Sequence, residues 1–106
     1  MIVTFRWRNA SVQRKVLEKA REKSLYTFDL QTGISFLNNV NKVIERIECH
    51  PEQFPVHQDA SGRKAHIATI TDKGAGVGGV IPYFLEKEKK EAIGLGVFSS
   101  KPKYFL

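Results

Sequence analysis

The feature that most constrains this chain is a single apolar stripe. Ile34, Leu37, Val40, Ile44 and Ile47 recur every three or four residues, and Phe36 and Val43 widen the stripe. That spacing is one face of an α-helix. A face this broad must bury against something large, such as a sheet. Lys42, Glu45, Arg46 and Glu48 fall on the wet side. Asp29 or Thr32 can cap the start. Pro51 ends the helix, because the residue before a proline is pushed out of helical geometry. Pro51-Glu-Gln-Phe-Pro55 then reads as a stiff turn with Phe54 tucked under the helix end. Cys49 follows the stripe directly and reads as a buried, inert thiol. It is the only cysteine, which excludes an intrachain disulfide and a thiolate metal cage and fits a reducing cytoplasm.

The flanks supply the partner for that face. Ile2 to Trp7 alternates, with Val3, Phe5 and Trp7 opposite Ile2, Thr4 and Arg6, as in a half-buried strand. Asn9 or Ser11 can cap a first helix. In it Val12, Val16, Leu17 and Ala20 share a stripe that fades near Ser24. Residues 56–62 read as a polar loop. Three β-rich runs follow, Arg63 to Thr71, Val80 to Leu85 and Glu91 to Ser99, joined by turn-like links. The expected fold is α+β: an N-terminal strand, a helical hairpin, then a three-stranded antiparallel meander. At 106 residues the chain is expected to be one domain, 1–106, large enough to hold a core without staples. Apolar residues make up 42%, which argues for a globular rather than a disordered chain. No apolar run approaches the roughly 20 residues of a membrane span. The first residues lack a signal peptide's basic start and long apolar run. A cytoplasmic protein with no membrane partner is expected.

The charge is +6, and it is uneven. Arg6, Arg8, Arg14, Lys15, Lys19, Arg21 and Lys23 face only Glu18 and Glu22 in the first stretch, and Lys101 and Lys103 close the chain without an acid. A negatively charged partner follows, either nucleic acid or an acidic protein segment.

Gly74-Ala-Gly-Val-Gly-Gly79 matches the dinucleotide pattern in letters. The next residues, Val80-Ile-Pro-Tyr-Phe84, read as strand. No helix N-terminus would cradle a pyrophosphate, so the segment reads as a flexible hairpin loop and no cofactor is expected. His50, His57 and His66 fall in three different elements without metal spacing, so no metal site is expected. Glu86-Lys-Glu-Lys-Lys-Glu91 reads as a solvated turn. The candidate chemistry lies elsewhere. Arg63 and Lys64 open one strand, while Lys101, Lys103 and Tyr104 follow the last. If those strands neighbour each other in opposite senses, the cations and the phenol converge. Such a cluster would grip a phosphate backbone and stabilise a pentacoordinate phosphorane. The alternative is a frayed basic tail.

The stretch from Phe36 to Pro55 resembles the second helix and exit turn of RelE/ParE superfamily toxins, in which an Ile-x-x-x-Pro-x-x-Phe-Pro run closes the helical hairpin. Arg63-Lys-Ala-His-Ile-Ala-Thr-Ile70 resembles the first strand after that hairpin, and Pro82-Tyr-Phe84 the aromatic middle strand. Ile93 to Pro102 resembles the last strand and its basic exit. The resemblance covers about residues 30–104, and the Pro-Glu-Gln-Phe-Pro turn is its most telling part. Departures are the lysines where relatives carry arginine, the long glycine link, and Arg6-Trp-Arg8.

The resemblance implies the toxin half of a bacterial type II toxin–antitoxin pair, as in plasmid stabilisation systems. It implies a β-α-α-β-β-β fold and neutralisation by a cognate antitoxin protein. RelE-like members are ribosome-dependent endoribonucleases that cut mRNA by driving the ribose 2′-hydroxyl onto the adjacent phosphate. ParE-like members bind DNA gyrase. Carried over by position, Arg63 or Lys64 would hold the phosphate, Lys101 or Lys103 would neutralise developing charge, and Tyr104 would transfer a proton. The competing reading is a non-catalytic basic module, or a degenerate toxin that only binds an antitoxin or nucleic acid. A homodimer is left open.

Overall fold

Two capped helices set the frame. In a computed structural model that describes residues 1–58, 61–72 and 76–98, and for 71–72 and 76–78 the backbone only, helix α1 spans Ala10–Thr27 and helix α2 spans Leu30–Cys49. Asn9 is extended, and its side-chain oxygen accepts the Val12 N–H at 2.9 Å. Asp29 does the same for α2 through the Gln31 N–H at 3.0 Å. These bonds satisfy amide donors that a helix start leaves orphaned. Thr32 is not the cap; its hydroxyl accepts from that of Thr27 at 3.0 Å.

Helix α1 continues past Ser24, where the sequence pattern fades, because α2 holds its end. The Ser24 hydroxyl donates to the Leu30 carbonyl at 3.1 Å and accepts the Gly33 N–H at 2.8 Å. Gly33 permits this approach, since a Cβ there would overlap Ser24 Oγ and the Ala20 carbonyl. Helix-end bonds of this kind come from the tertiary partner, not from apolar periodicity.

The sheet has five strands: β1 (Thr4–Trp7), β2 (Val56–Gln58), β3 (Lys64–Asp72), β4 (Gly76–Glu86) and β5 (Glu91–Gly94), in the order β1-β5-β4-β3-β2. The meander β3-β4-β5 is antiparallel as expected. β1 adds to it in parallel, with Thr4 opposite Glu91 and Trp7 opposite Gly94. An α+β fold with an N-terminal strand, a helical hairpin and a following sheet is therefore present.

Three boundaries differ from the sequence reading. Val56–Gln58 is a short edge strand on β3, not a loop. Such three-residue strands carry too little alternation to register in sequence. The glycine-rich segment is partly strand, because β4 already begins at Gly76; a register shift between Ile70 and Thr71 absorbs the irregularity. β5 ends at Gly94, not Ser99. The Leu95 N–H still donates to the Pro82 carbonyl of β4 at 2.9 Å; Gly96 then has φ 133°, a value that interrupts the pleat, and Phe98 rejoins β4 by exchanging two backbone bonds with Val80.

The main core lies between helices and sheet. Val16, Ala20, Phe36, Val40, Val43 and Ile47 from the helices meet Val3, Ala68, Ile70, Ile81, Tyr83, Ala92 and Val97. Phe5, Trp7 and Phe54 pack against it, so Phe54 sits where the turn was expected to put it. The other sheet face gathers Ala65, Ile67, Val80, Phe84 and Ile93. Leu17 and Ile34 are exposed although their periodicity placed them on the stripes, because the sheet covers only part of each helix. Cys49 is also exposed, which corrects the expectation of a buried thiol.

Candidate functional site

Strand direction decides where chemistry gathers. β3 and β5 are both antiparallel to β4, so they run parallel to each other and β4 separates them. Phe98 pairs with Val80, and Val80 faces Thr69. Lys64 lies five positions earlier on β3, about 17 Å away along the strand. Phe98, the last described residue, therefore lies beside the middle of β4, well away from the start of β3. The convergence argument required antiparallel neighbours, and these strands are not neighbours. Lys101, Lys103 and Tyr104 lie outside the described residues.

Arg63 and Lys64 face opposite sides. The Arg63 guanidinium lies 3.7 Å over the Phe84 ring and reaches Glu86 at 3.5 Å. It caps the apolar face built by Phe84, Ile67 and Ile93. Lys64 shares its side with His66, Ala68 and Ile70, as alternation dictates.

On that side, a hollow of about 460 Å³ opens where α2 has ended and the exit turn passes under the sheet. Glu52 from the turn, Val56 of β2, Lys64 and His66 of β3, Leu85 of β4 and Lys87 of the following turn line it. Tyr83 is its pillar. The fully buried phenol donates to the Pro51 carbonyl at 2.5 Å. Burial pushes its pKa well up, so it stays protonated and serves as a strut between β4 and the turn. The His66 ring stacks on Tyr83, with centroids 5.1 Å apart and planes 12° from parallel. Phe54 meets Tyr83 edge-on at 6.3 Å.

These contacts orient the imidazole. His66 Nδ1 lies 2.9 Å from the Phe54 carbonyl oxygen. A carbonyl only accepts, so Nδ1 carries the proton and donates. In the neutral ring Nε2 then holds the lone pair and is the atom left to accept a proton. Lys87 meets Glu52 at 2.8 Å. Its hydrogen bond first, and then its charge, hold the Glu52 carboxyl below the usual range; the charge of His66 adds a smaller pull. Lys64 forms no ion pair among the described residues. The hollow therefore combines an oriented imidazole, two ammonium groups and one carboxylate. That set can accept a proton and neutralise a phosphate.

Sequence reasoning treated His66 only as a candidate metal ligand and set it aside. No group of three or more metal-ligating side chains occurs among the described residues. The missed signal was the alternation that puts His66 on the helix-facing side, beside the proline turn. No family model, curated protein or solved structure matches the chain.

Proposed function

We propose that this protein is the toxin of a type II toxin–antitoxin pair, of RelE/ParE type in fold, acting in the cytoplasm as a ribosome-dependent endoribonuclease. The observation that carries this reading is His66, held by the Phe54 carbonyl so that Nε2 is the proton acceptor, in a hollow that Lys64 also lines. The order strand, two helices, sheet supports the fold assignment at that level. The charge of +6 supports a polyanionic target.

In this chemistry His66 Nε2 takes the proton of a ribose 2′-hydroxyl. The O2′–P bond forms and the P–O5′ bond breaks. The departing 5′-oxygen takes a proton from the Lys64 ammonium. The products are a 2′,3′-cyclic phosphate and a 5′-hydroxyl. Lys87 adds positive charge beside the phosphorane, and Lys101, Lys103 and Tyr104 would extend the grip on RNA, whereas Arg63 is engaged on the other face of the sheet. A cognate antitoxin would neutralise the toxin by covering its basic surface.

His66→Asn is the discriminating variant. The Asn amide can still donate to the Phe54 carbonyl, but it cannot accept a proton. Loss of a general base predicts a fall in mRNA cleavage of about 10²–10⁴-fold with the fold retained. The experiment induces wild type and variant and follows growth, mRNA integrity and DNA supercoiling. Cleavage undiminished in His66→Asn refutes the role of this hollow.

A second reading has one observation of its own. Arg63, the arginine opening the first meander strand, is engaged by Phe84 and Glu86. That arrangement favours a binding-only toxin, directed at gyrase or merely gripping an antitoxin. Growth arrest with intact mRNA and gyrase-linked DNA breaks would select it.

A further inference from the structure

The tip of the helical hairpin is apolar and open to water. Phe28 is 97% exposed, Tyr26 89%, Leu30 81%, Leu25 67% and Ile34 50%. At roughly 200 Å² per large apolar residue these exposures leave on the order of 700 Å² uncovered. Patches on monomeric proteins usually stay near 300–600 Å². Phe28 also sits at φ 55°, ψ 34°, a left-handed conformation that suits glycine or asparagine and penalises an aromatic residue. An exposed ring in an unfavourable backbone conformation brings nothing to the monomer's own packing.

We propose that this tip is a homodimer interface, covered by the same tip of a second copy of this chain. Two features favour that occupant. The open area is close to the roughly 800 Å² per partner of a standard interface. The patch also carries both halves of a two-fold fit. Phe28 and Tyr26 are almost wholly exposed, and Ser24, Leu25, Phe28, Asp29 and Leu30 line a notch of about 230 Å³. A two-fold axis brings each knob to the other copy's notch, as an isologous contact requires. The inference uses nothing from the RNA chemistry proposed for the His66 hollow.

The test is the mass of the full chain in solution across a micromolar dilution series, by sedimentation and light scattering. Wild type is expected to move from 12.0 kDa to twice that mass as concentration rises. Phe28→Gly removes the ring and suits the left-handed position, so it is expected to stay monomeric while melting no lower than wild type. Tyr26→Ser is expected to weaken dimerisation at least tenfold. A wild type that stays monomeric at high micromolar concentration overturns the proposal. So does a Phe28→Gly variant that dimerises as wild type does. Sedimentation with anionic phospholipid vesicles is the control. Monomeric wild type that binds them, with binding lost in Phe28→Gly, assigns the tip to a lipid surface and overturns the dimer.

Discussion

Replacing Tyr83 by phenylalanine isolates one hydroxyl. The ring, its stack on His66 and its edge contact with Phe54 all remain possible. What disappears is the bond to the buried Pro51 carbonyl. A buried acceptor left without its donor costs about 1–3 kcal/mol. For a chain of 106 residues the unfolding entropy is about 0.22 kcal/mol/K, so the melting temperature should fall by roughly 5–13 °C near neutral pH. The hydroxyl has a second signature. Folding raises the phenol's pKa above its ordinary value of 10.0. Below pH 10 both states keep the proton, and the stabilisation is complete. Above pH 10 the unfolded chain ionises while the folded one does not, so stability falls as pH rises, by up to about 1.4 kcal/mol per pH unit. Tyr83→Phe lacks this loss. The deficit of the variant should therefore shrink by about 2 kcal/mol between pH 10 and ~11.5, until the two curves meet or cross. Denaturant titrations followed by circular dichroism at several pH values would measure it. A variant as stable as wild type at pH 7, or a deficit that does not change with alkaline pH, refutes the strut.

Other outcomes follow from packing, capping and the ion pair at the hollow. Gly94→Ala puts a methyl into Phe5 and Trp7, whose rings stand 89° apart at 4.9 Å; overpacking there should cost about 1–3 kcal/mol, read from the denaturation midpoint. Asp29→Ala removes the α2 cap and should cost about 1 kcal/mol, with amide exchange rising first in the opening turn of the helix. Glu52 has its pKa lowered by Lys87, so its stabilisation is present above the ordinary value of 4.5 and fades as pH falls through the depressed one. Melting curves in low salt should show wild type losing stability over that acid window and Glu52→Gln losing less, with the difference erased by high salt.

The helices, the first strand and the three-strand meander were legible because each rests on local rules. Asn9 and Asp29 are capping residues in capping positions, Pro51 stops α2, and the alternation of Val3, Phe5 and Trp7 marks the buried side of β1. Burial within a helix was less legible. Leu17 and Ile34 satisfy the periodicity as well as Val16 and Val40 do, yet only the sheet's extent decides which of them it reaches. β2 escaped notice because three residues pairing at an edge need a neighbour to define them as strand.

The same division runs through the candidate site. Sequence reading grouped Arg63 and Lys64 in one cluster, whereas the structure sends Arg63 to Phe84 and Glu86 and Lys64 to the hollow on the other side. The basic charge and the turn from Pro51 to Pro55 were legible from sequence alone. Tertiary structure decided which strands are neighbours. By placing β4 between β3 and β5 it set the last described residues far from Lys64. It also carried Glu52, His66 and Lys87 from three separate elements to one hollow, and stacked His66 on Tyr83. Strand order and the path of a turn are long-range properties, settled by which faces bury one another, and no local pattern of residues encodes them.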